Sequence, residues 1–207
     1  MSPRREKISD DDIFAAAQRA MTRRGPHELT LADIAGEAGV TPGRLVQRFG
    51  GKRALLLALS ERFAQGAPTL FAGLRGAHRS PLQALRAYAA CMADLASTPE
   101  ALARNLAYLQ IDLADAAFRG HLVKHARATR REIEALVREA VAAGELRAQV
   151  DPRRLARTIE AMVSGSLMTW ACYREGRAAA WIGRDLEAVL RPYRASPRQT
   201  GRRSPKP

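Results

Sequence analysis

The chain has 207 residues, of which 46% are hydrophobic, 27% charged and 5% aromatic. This composition is ordinary for a globular protein. The chain has no uncharged apolar run of about 18 residues, so we expect neither a membrane span nor a membrane partner. The formal net charge of +13 favours a polyanion such as nucleic acid. Residues 191–207 hold six basic and no acidic residues, so net charge alone does not locate a binding surface.

The sequence does not indicate secretion, a disulfide framework or a bound cofactor. The first residues lack the apolar core of a secretory signal. Cys91 and Cys172 lie far apart in apolar helical stretches and form no disulfide or metal pattern. We therefore expect a cytoplasmic protein with no cofactor and no metal.

The apolar spacing predicts an all-α chain. Short helices are expected over about 9–24, 31–38, 42–49 and 52–65, with Ser9, Thr30 and Thr41 as caps. Gly66-Ala67-Pro68 is interpreted as a hinge between two parts of the chain. Longer helices are expected over about 80–96, from 98 onward, and over 117–143, 151–176 and 178–193. Residues 195–207, rich in Pro, Arg and Ser, are expected to be disordered.

The most informative stretch is residues 30–49, TLADIAGEAGVTPGRLVQRF. Ala35 is small enough for a close helix crossing, and Gly39 stands four residues later, where the chain must turn. Ile34, Val40 and Leu45 supply the apolar contacts between two short helices. This spacing predicts a helix-turn-helix, whose second helix enters the DNA major groove. The alternative is a helical hairpin with a glycine turn.

Residues 29–63, LTLADIAGEAGVTPGRLVQRFGGKRALLLALSERF, resemble the N-terminal signature of the TetR family of regulators. The resemblance implies an N-terminal three-helix helix-turn-helix head, joined by helix 4 to a C-terminal helical ligand-binding and dimerisation bundle. The expected domains are 1–51 for DNA binding, 52–194 for ligand binding and dimerisation, and 195–207 as a basic tail.

The resemblance also assigns contacts with double-stranded DNA. Arg44 and Gln47 are the candidates for base edges, because Arg suits guanine and Gln suits adenine. Arg48 is a candidate for either base or phosphate, and an N-terminal arm with Arg4, Arg5 and Lys7 is a candidate for further contacts. The complete predicted DNA-binding set is Thr30, Thr41, Pro42, Gly43, Arg44, Gln47, Arg48 and Lys52.

Four positions depart from the family pattern. Val46 replaces an aromatic residue that touches phosphate, and valine cannot donate a hydrogen bond. Gly50-Gly51 replaces a proline or a capping serine before helix 4. Arg53 stands where an acid is common. These departures affect the expected phosphate contacts and leave the fold prediction unchanged.

Apolar residues in the second part of the chain predict a cavity and an interface. A cavity for a small, largely apolar ligand is expected among Tyr88, Met92, Leu106, Leu109, Phe118, Leu122, Met162 and Ser166, with Tyr108 and Met168 nearby. A two-fold homodimer interface is expected from Leu155, Ile159, Val163, Leu167, Trp170, Leu186, Val189 and Leu190. For both sets the alternative is an ordinary protein core.

Other polar residues give weaker indications. His121 and His125 have the i, i+4 spacing of metal ligands, but pocket-lining or solvated histidines fit better. Asp112 and Asp115 are interpreted as helix caps. No phosphate loop or catalytic motif appears, so we do not expect an enzyme.

The leading hypothesis is a repressor that binds a palindromic operator as a homodimer and is released by its ligand. In this hypothesis helix 4 swings as a rigid unit between Gly50-Gly51 and Gly66. The alternative is a constitutive basic DNA-binding protein whose second domain only dimerises. A helical enzyme or carrier is a third possibility, and the helix-turn-helix argues against it.

Overall fold

A computed structural model of the protein describes residues 8–94 and 96–195. The predicted all-α fold is confirmed. Arg4, Arg5 and Lys7 of the expected arm, and residues 196–207 of the expected disordered tail, lie outside the described residues. The described part contains ten α-helices and a short 3₁₀ helix: α1 (Asp10–Arg23), α2 (Leu31–Ala38), α3 (Pro42–Phe49), α4 (Lys52–Gln65), α5 (Ala67–Ala77), α6 (Pro81–Asp94), α7 (Pro99–Ala114), α8 (Ala116–Ala142), α9 (Pro152–Tyr173), α10 (Ala178–Leu190) and the 3₁₀ helix (Arg191–Tyr193).

The N-terminal helices begin where short polar side chains satisfy free backbone N–H groups. The Ser9 hydroxyl accepts from Asp12 N, and the Asp12 carboxylate accepts from Ser9 N, which completes a capping box. Thr30 and Asp33 repeat this arrangement at α2. The hydroxyl hydrogen bonds lower the pKa of both aspartates. These caps explain why the starts of α1 and α2 were predictable.

The predicted hinge at Gly66-Ala67-Pro68 was wrong, because α5 occupies residues 67–77. Gly66 has helical angles, φ −78° and ψ −20°, and its N–H donates to Phe63 O at 3.0 Å. Pro68 lies in the first turn of α5, where its missing N–H costs no helical hydrogen bond. Helices α4 and α5 are therefore joined at a compact corner.

The buried apolar residues of the described part form two separate cores. We call the first the head core; it contains Ile13, Leu29, Ile34, Leu45 and Leu55, all of them buried. The second, the body core, is built from α5 to α10, except that α7 contributes only Leu102 among its buried members. Because Leu55 and Leu59 of α4 belong to the head core while α4 also packs along α8, this helix is shared by both parts.

Polar contacts tie the outer helices of the body together. Arg75 of α5 pairs with two carboxylates of α8, through Nη1 to Glu132 at 2.7 Å and through Nε to Glu139 at 3.0 Å. In the first turn of α6, Leu82 N donates to the Glu145 carboxylate at 3.1 Å. Within the described ranges, no helix is long and apolar enough to cross a membrane.

Candidate nucleic-acid interface

Helices α2 and α3 meet through a tight turn at Gly39. This residue has φ +66°, the left-handed conformation that glycine adopts without a Cβ clash, and its N–H caps the end of α2. Val40 N donates to Ala35 O at 3.0 Å, while Ile34 and Leu45 fill the space between the helices. These contacts build the predicted helix-turn-helix and fix the direction of α3.

Helix α3 presents its polar side away from the head core. Thr41 caps the helix by accepting from Arg44 N at 3.4 Å, and Pro42 and Gly43 are exposed in the first turn. Gln47 is exposed and Arg44 is half-buried. Neither side chain has a hydrogen-bond partner among residues 8–94 and 96–195, so both are free to contact a ligand such as DNA.

Arg48, by contrast, is engaged within the head. Its Nε lies 2.6 Å from Asp10 Oδ1 and its Nη1 donates to Ile8 O at 2.8 Å. The guanidinium also lies 5.9 Å from the centre of the Phe49 ring. These contacts hold the C-terminal end of α3 against the N-terminal end of α1, which suits a positioning role.

Lys52 and Thr30 are also engaged within the head. Lys52 Nζ donates to Leu29 O at 2.7 Å and to Pro26 O at 3.3 Å, and so holds the α1–α2 connection against the start of α4. One N–H of the ammonium remains for another acceptor. The Thr30 hydroxyl is used in the capping box with Asp33.

The head is attached to the body by more than the continuous chain through α4. Arg104 Nε of α7 donates to Thr22 O at 2.7 Å, and the Tyr108 hydroxyl donates to Arg24 O at 3.0 Å. Carbonyl groups in the last turn of a helix have no intrahelical partner. Arg104 and Tyr108 therefore satisfy the end of α1 from outside the head; neither role was predictable from a sequence motif.

A third contact joins α4 to the α7–α8 corner. Arg53 Nη2 lies 2.6 Å from Asp115 Oδ2, and the guanidinium lies 5.6 Å from the centre of the Phe118 ring. The Asp115 carboxylate also accepts from Ala117 N at 2.9 Å, so Asp115 caps α8. The hydrogen bond from Arg53 lowers the pKa of Asp115. Asp112 differs, because burial raises the pKa of its carboxyl.

The predicted cavity residues occupy several environments. Tyr88, Phe118 and Ser166 are buried, whereas Leu109 and Leu122 are half-buried. Three further residues, Met92, Leu106 and Met162, are half-buried against the body core. Tyr108 packs instead on the head core, and Met168 is 53% exposed at the surface.

Polar groups interrupt the apolar interior of the body. The Ser166 hydroxyl donates to Asp185 Oδ2 at 2.5 Å. Burial raises the pKa of Tyr88 to about 12, with a smaller effect from the charge of Glu160. Burial lowers the pKa of His125, whose ring lies 4.5 Å from that of Phe63.

Within the described residues, no group of three His, Cys, Asp or Glu side chains could hold a metal ion.

Most of the predicted dimer residues are used inside the protomer. Helices α9 and α10 pack on each other and on α6 and α8, so the apolar stripes of these two helices face inward. The outward surface carries other side chains, including Met168, Cys172 and Tyr173. Leu167 and Val189 are half-buried against the body core, and the other six are buried within it: Leu155, Ile159, Val163, Trp170, Leu186 and Leu190.

A capped two-helix unit with a free polar face, mounted on a larger helical body, defines a helix-turn-helix DNA-binding protein. Comparison with protein families agrees with this class. The profile of bacterial regulatory proteins of the tetR family matches residues 13–59, and that of the tetracyclin repressor-like C-terminal domain matches residues 81–186. The chain therefore belongs to the TetR family, whose members are transcriptional regulators and not enzymes.

Solved structures share the fold over most of the chain. A TetR transcriptional regulator from Streptomyces coelicolor is 27% identical, with a TM-score of 0.64 over 91% of this chain and 100% of that chain. SmeT, the repressor of the Stenotrophomonas maltophilia multidrug efflux pump SmeDEF, is 24% identical, with a TM-score of 0.64 over 97% and 98%. FadR from Bacillus subtilis, solved with stearoyl-CoA, is 18% identical, with a TM-score of 0.65 over 88% and 98%. Comparison with curated protein sequences gave no match.

Proposed function

We propose that this protein is a repressor that binds a palindromic operator as a homodimer and releases it when a small, largely apolar ligand binds the body. The observation that carries the proposal is the free polar face of α3, whose opposite side is packed and hydrogen-bonded within the head. Arg44 and Gln47 would contact base edges, while Thr41, Pro42 and Gly43 would approach the groove at the start of the helix. DNA as the partner implies a cytoplasmic site of action.

In this proposal the remaining predicted DNA residues mainly position α3. Arg48 orients its C-terminal end through Asp10, and Lys52 fixes the loop before α2. Thr30 caps α2. The proposed domains are 1–51 for the head, 52–194 for the body and 195–207 for the tail, with α4 also contributing apolar side chains to the head core.

The proposed homodimer uses the outward face of α9 and α10. Support comes from an open groove of about 910 Å³ lined by the α9–α10 connection and α10, and from Tyr173, which stacks on Trp181 with ring centres 5.7 Å apart. Met168→Glu should convert a dimer into a monomer in sedimentation, whereas Val123→Glu, which alters a similarly exposed apolar residue on α8, should not. Wild-type protein that sediments as a monomer at micromolar concentration would contradict the homodimer.

The proposed ligand site lies among buried and half-buried residues of α6 to α9. Met92 and Met162 provide adaptable apolar surface, and Tyr88 and Ser166 provide polar groups for orientation. FadR, which has the same fold, was solved with stearoyl-CoA, and this supports a body that accepts a largely apolar ligand.

The effect of the ligand on DNA binding would be transmitted from the body to the head through both α4 and α7. A ligand beside Leu106 or Leu109 touches the helix whose Arg104 and Tyr108 hold the end of α1. Two heads on a two-fold dimer must stand about 34–36 Å apart to enter successive major grooves. A small displacement of α7 would therefore separate the heads from their two half-sites.

The experiment is selection of bound fragments from random DNA, followed by a small-molecule screen for release. Enrichment of a two-fold-symmetric sequence, together with a compound that releases it, is the expected result. Tight binding that no compound reverses would favour the alternative of a constitutive DNA-binding protein with a body that only dimerises. Failure to enrich any sequence would contradict operator binding itself.

A further inference from the structure

Val46 is an exposed apolar residue on the recognition helix. The residue is 46% exposed, and it lies between Arg44 and Gln47 in the chain. Exposed Pro42 precedes it by one helical turn, so the two residues share one side of α3. The neighbouring Gly43 has no side chain, and nothing lies within 4 Å of where its Cβ would stand. One edge of the free face is therefore apolar and closely approachable.

The contacts within the head reduce the set of side chains that can read bases. Arg48 is held by Asp10 and Ile8 O, and Lys52 is held by two carbonyl groups. The side chains of α3 that remain exposed or half-exposed without such a contact are Pro42, Arg44, Val46 and Gln47. Because the valine side chain has no hydrogen-bonding group, it cannot form a hydrogen bond with a phosphate or with a donor or acceptor on a base edge.

We propose that Val46 is a specificity-determining residue that recognises the C5-methyl group of a thymine in each operator half-site. This inference rests on the proposed operator binding. The methyl group of thymine is the apolar feature of the major groove, and it is the only group on that edge of the base that valine can bury. Arg44 and Gln47 flank it with hydrogen-bonding groups, so α3 offers three different chemistries to neighbouring base pairs.

The test replaces thymine by deoxyuracil, one position at a time, in the operator obtained by selection. This change removes a single methyl group and leaves base pairing intact. Loss of one buried methyl should weaken binding about fourfold in one half-site and about 15-fold when both half-sites are changed. One thymine per half-site should show this effect with the full-length wild-type protein, and the other thymines should not.

The matched variant is Val46→Ala, which removes the apolar contact from a surface position and should leave the far-UV circular dichroism unchanged. Val46→Ala should bind the thymine operator several-fold less tightly than wild type, and should no longer distinguish thymine from deoxyuracil at the sensitive position. Val46→Ile should retain the discrimination. Arg44→Ala should lose affinity and yet still detect the methyl group.

Two results would overturn the inference and leave the proposed function standing. The first is a wild-type protein whose affinity is insensitive to deoxyuracil at every thymine of its operator. The second is a Val46→Ala variant that remains as sensitive to the methyl group as wild type. If no sequence is enriched in the selection, both the operator binding and this inference are wrong.

Discussion

Replacing Lys52 by Met would distinguish a lysine that positions the head from one that contacts DNA phosphate. Methionine keeps most of the volume of the side chain but removes the hydrogen bonds to Leu29 O and Pro26 O. A hydrogen bond to a charged group contributes about 1.5–3 kcal/mol. The bond at 2.7 Å dominates, because the one at 3.3 Å lies beyond the usual range for N–H···O. Since Lys52 is only half-buried, we expect a loss of about 2 kcal/mol.

Hydrogen exchange measures this loss in the head alone. A cost of about 2 kcal/mol raises the population of the locally unfolded head roughly 30-fold, so the slowest amides of α2 and α3 should exchange faster by that factor. Both tryptophans, Trp170 and Trp181, lie in the body. Urea unfolding followed by tryptophan fluorescence should therefore change little.

The control is Arg62→Met, which removes one positive charge from the same helix. Arg62 pairs with Asp11 at 3.1 Å, and both side chains are largely exposed, so exchange should change less than about twofold. Operator affinity of the Lys52→Met protein should keep nearly the wild-type salt dependence. Unchanged exchange, together with a salt slope that falls by about 0.9, would refute the positioning role and identify a phosphate contact.

Three further changes test other parts of the structure. Arg44→Ala should cost about 1–3 kcal/mol on the selected operator, and equal losses on operator and random DNA would contradict base reading. Arg75→Met should lower stability by about 1 kcal/mol, because it leaves the carboxylates of Glu132 and Glu139 without their cation; a wild-type urea midpoint in tryptophan fluorescence would count against this. Burial raises the pKa of Tyr88 and of Tyr108 to about 12, above the value near 10 of an unfolded tyrosine. The stability that the two neutral phenols contribute is therefore complete below pH 10 and is lost as the pH rises towards 12. Tyr88→Phe should reduce this loss of stability at alkaline pH, measured by denaturant titration. An unchanged loss would argue against a buried phenol.

Local signals made the N-terminal helices predictable. The bounds of α2, α3 and α4 match the prediction, since each is limited by a capping threonine or a glycine whose role depends on near neighbours. Helix α5 was missed because Gly66 and Pro68 are typical of both a loop and a helix start. Local sequence does not distinguish the two, and packing on α6 and α8 decides the outcome.

Long-range contacts limited the prediction of the candidate site. An apolar stripe shows that a helix face is covered, but the covering element can belong to the same protomer or to a partner. Trp170 and Ile159 are covered by the protomer's own helices. Similarly, nothing near Arg48 in the sequence shows that its partners are Ile8 and Asp10, because these contacts form only when the head folds.

The attachment of α7 to the end of α1 has a consequence for how such regulators diversify. Arg104 and Tyr108 donate to main-chain carbonyl oxygens, of Thr22 and Arg24, and not to side chains. Every amino acid supplies that acceptor, so a head with a different sequence but the same helix end would dock on this body equally well. Chimeras that join this body to foreign heads at α4 should thus keep the inter-domain contact, and new operator preferences can arise without compensating changes in α7.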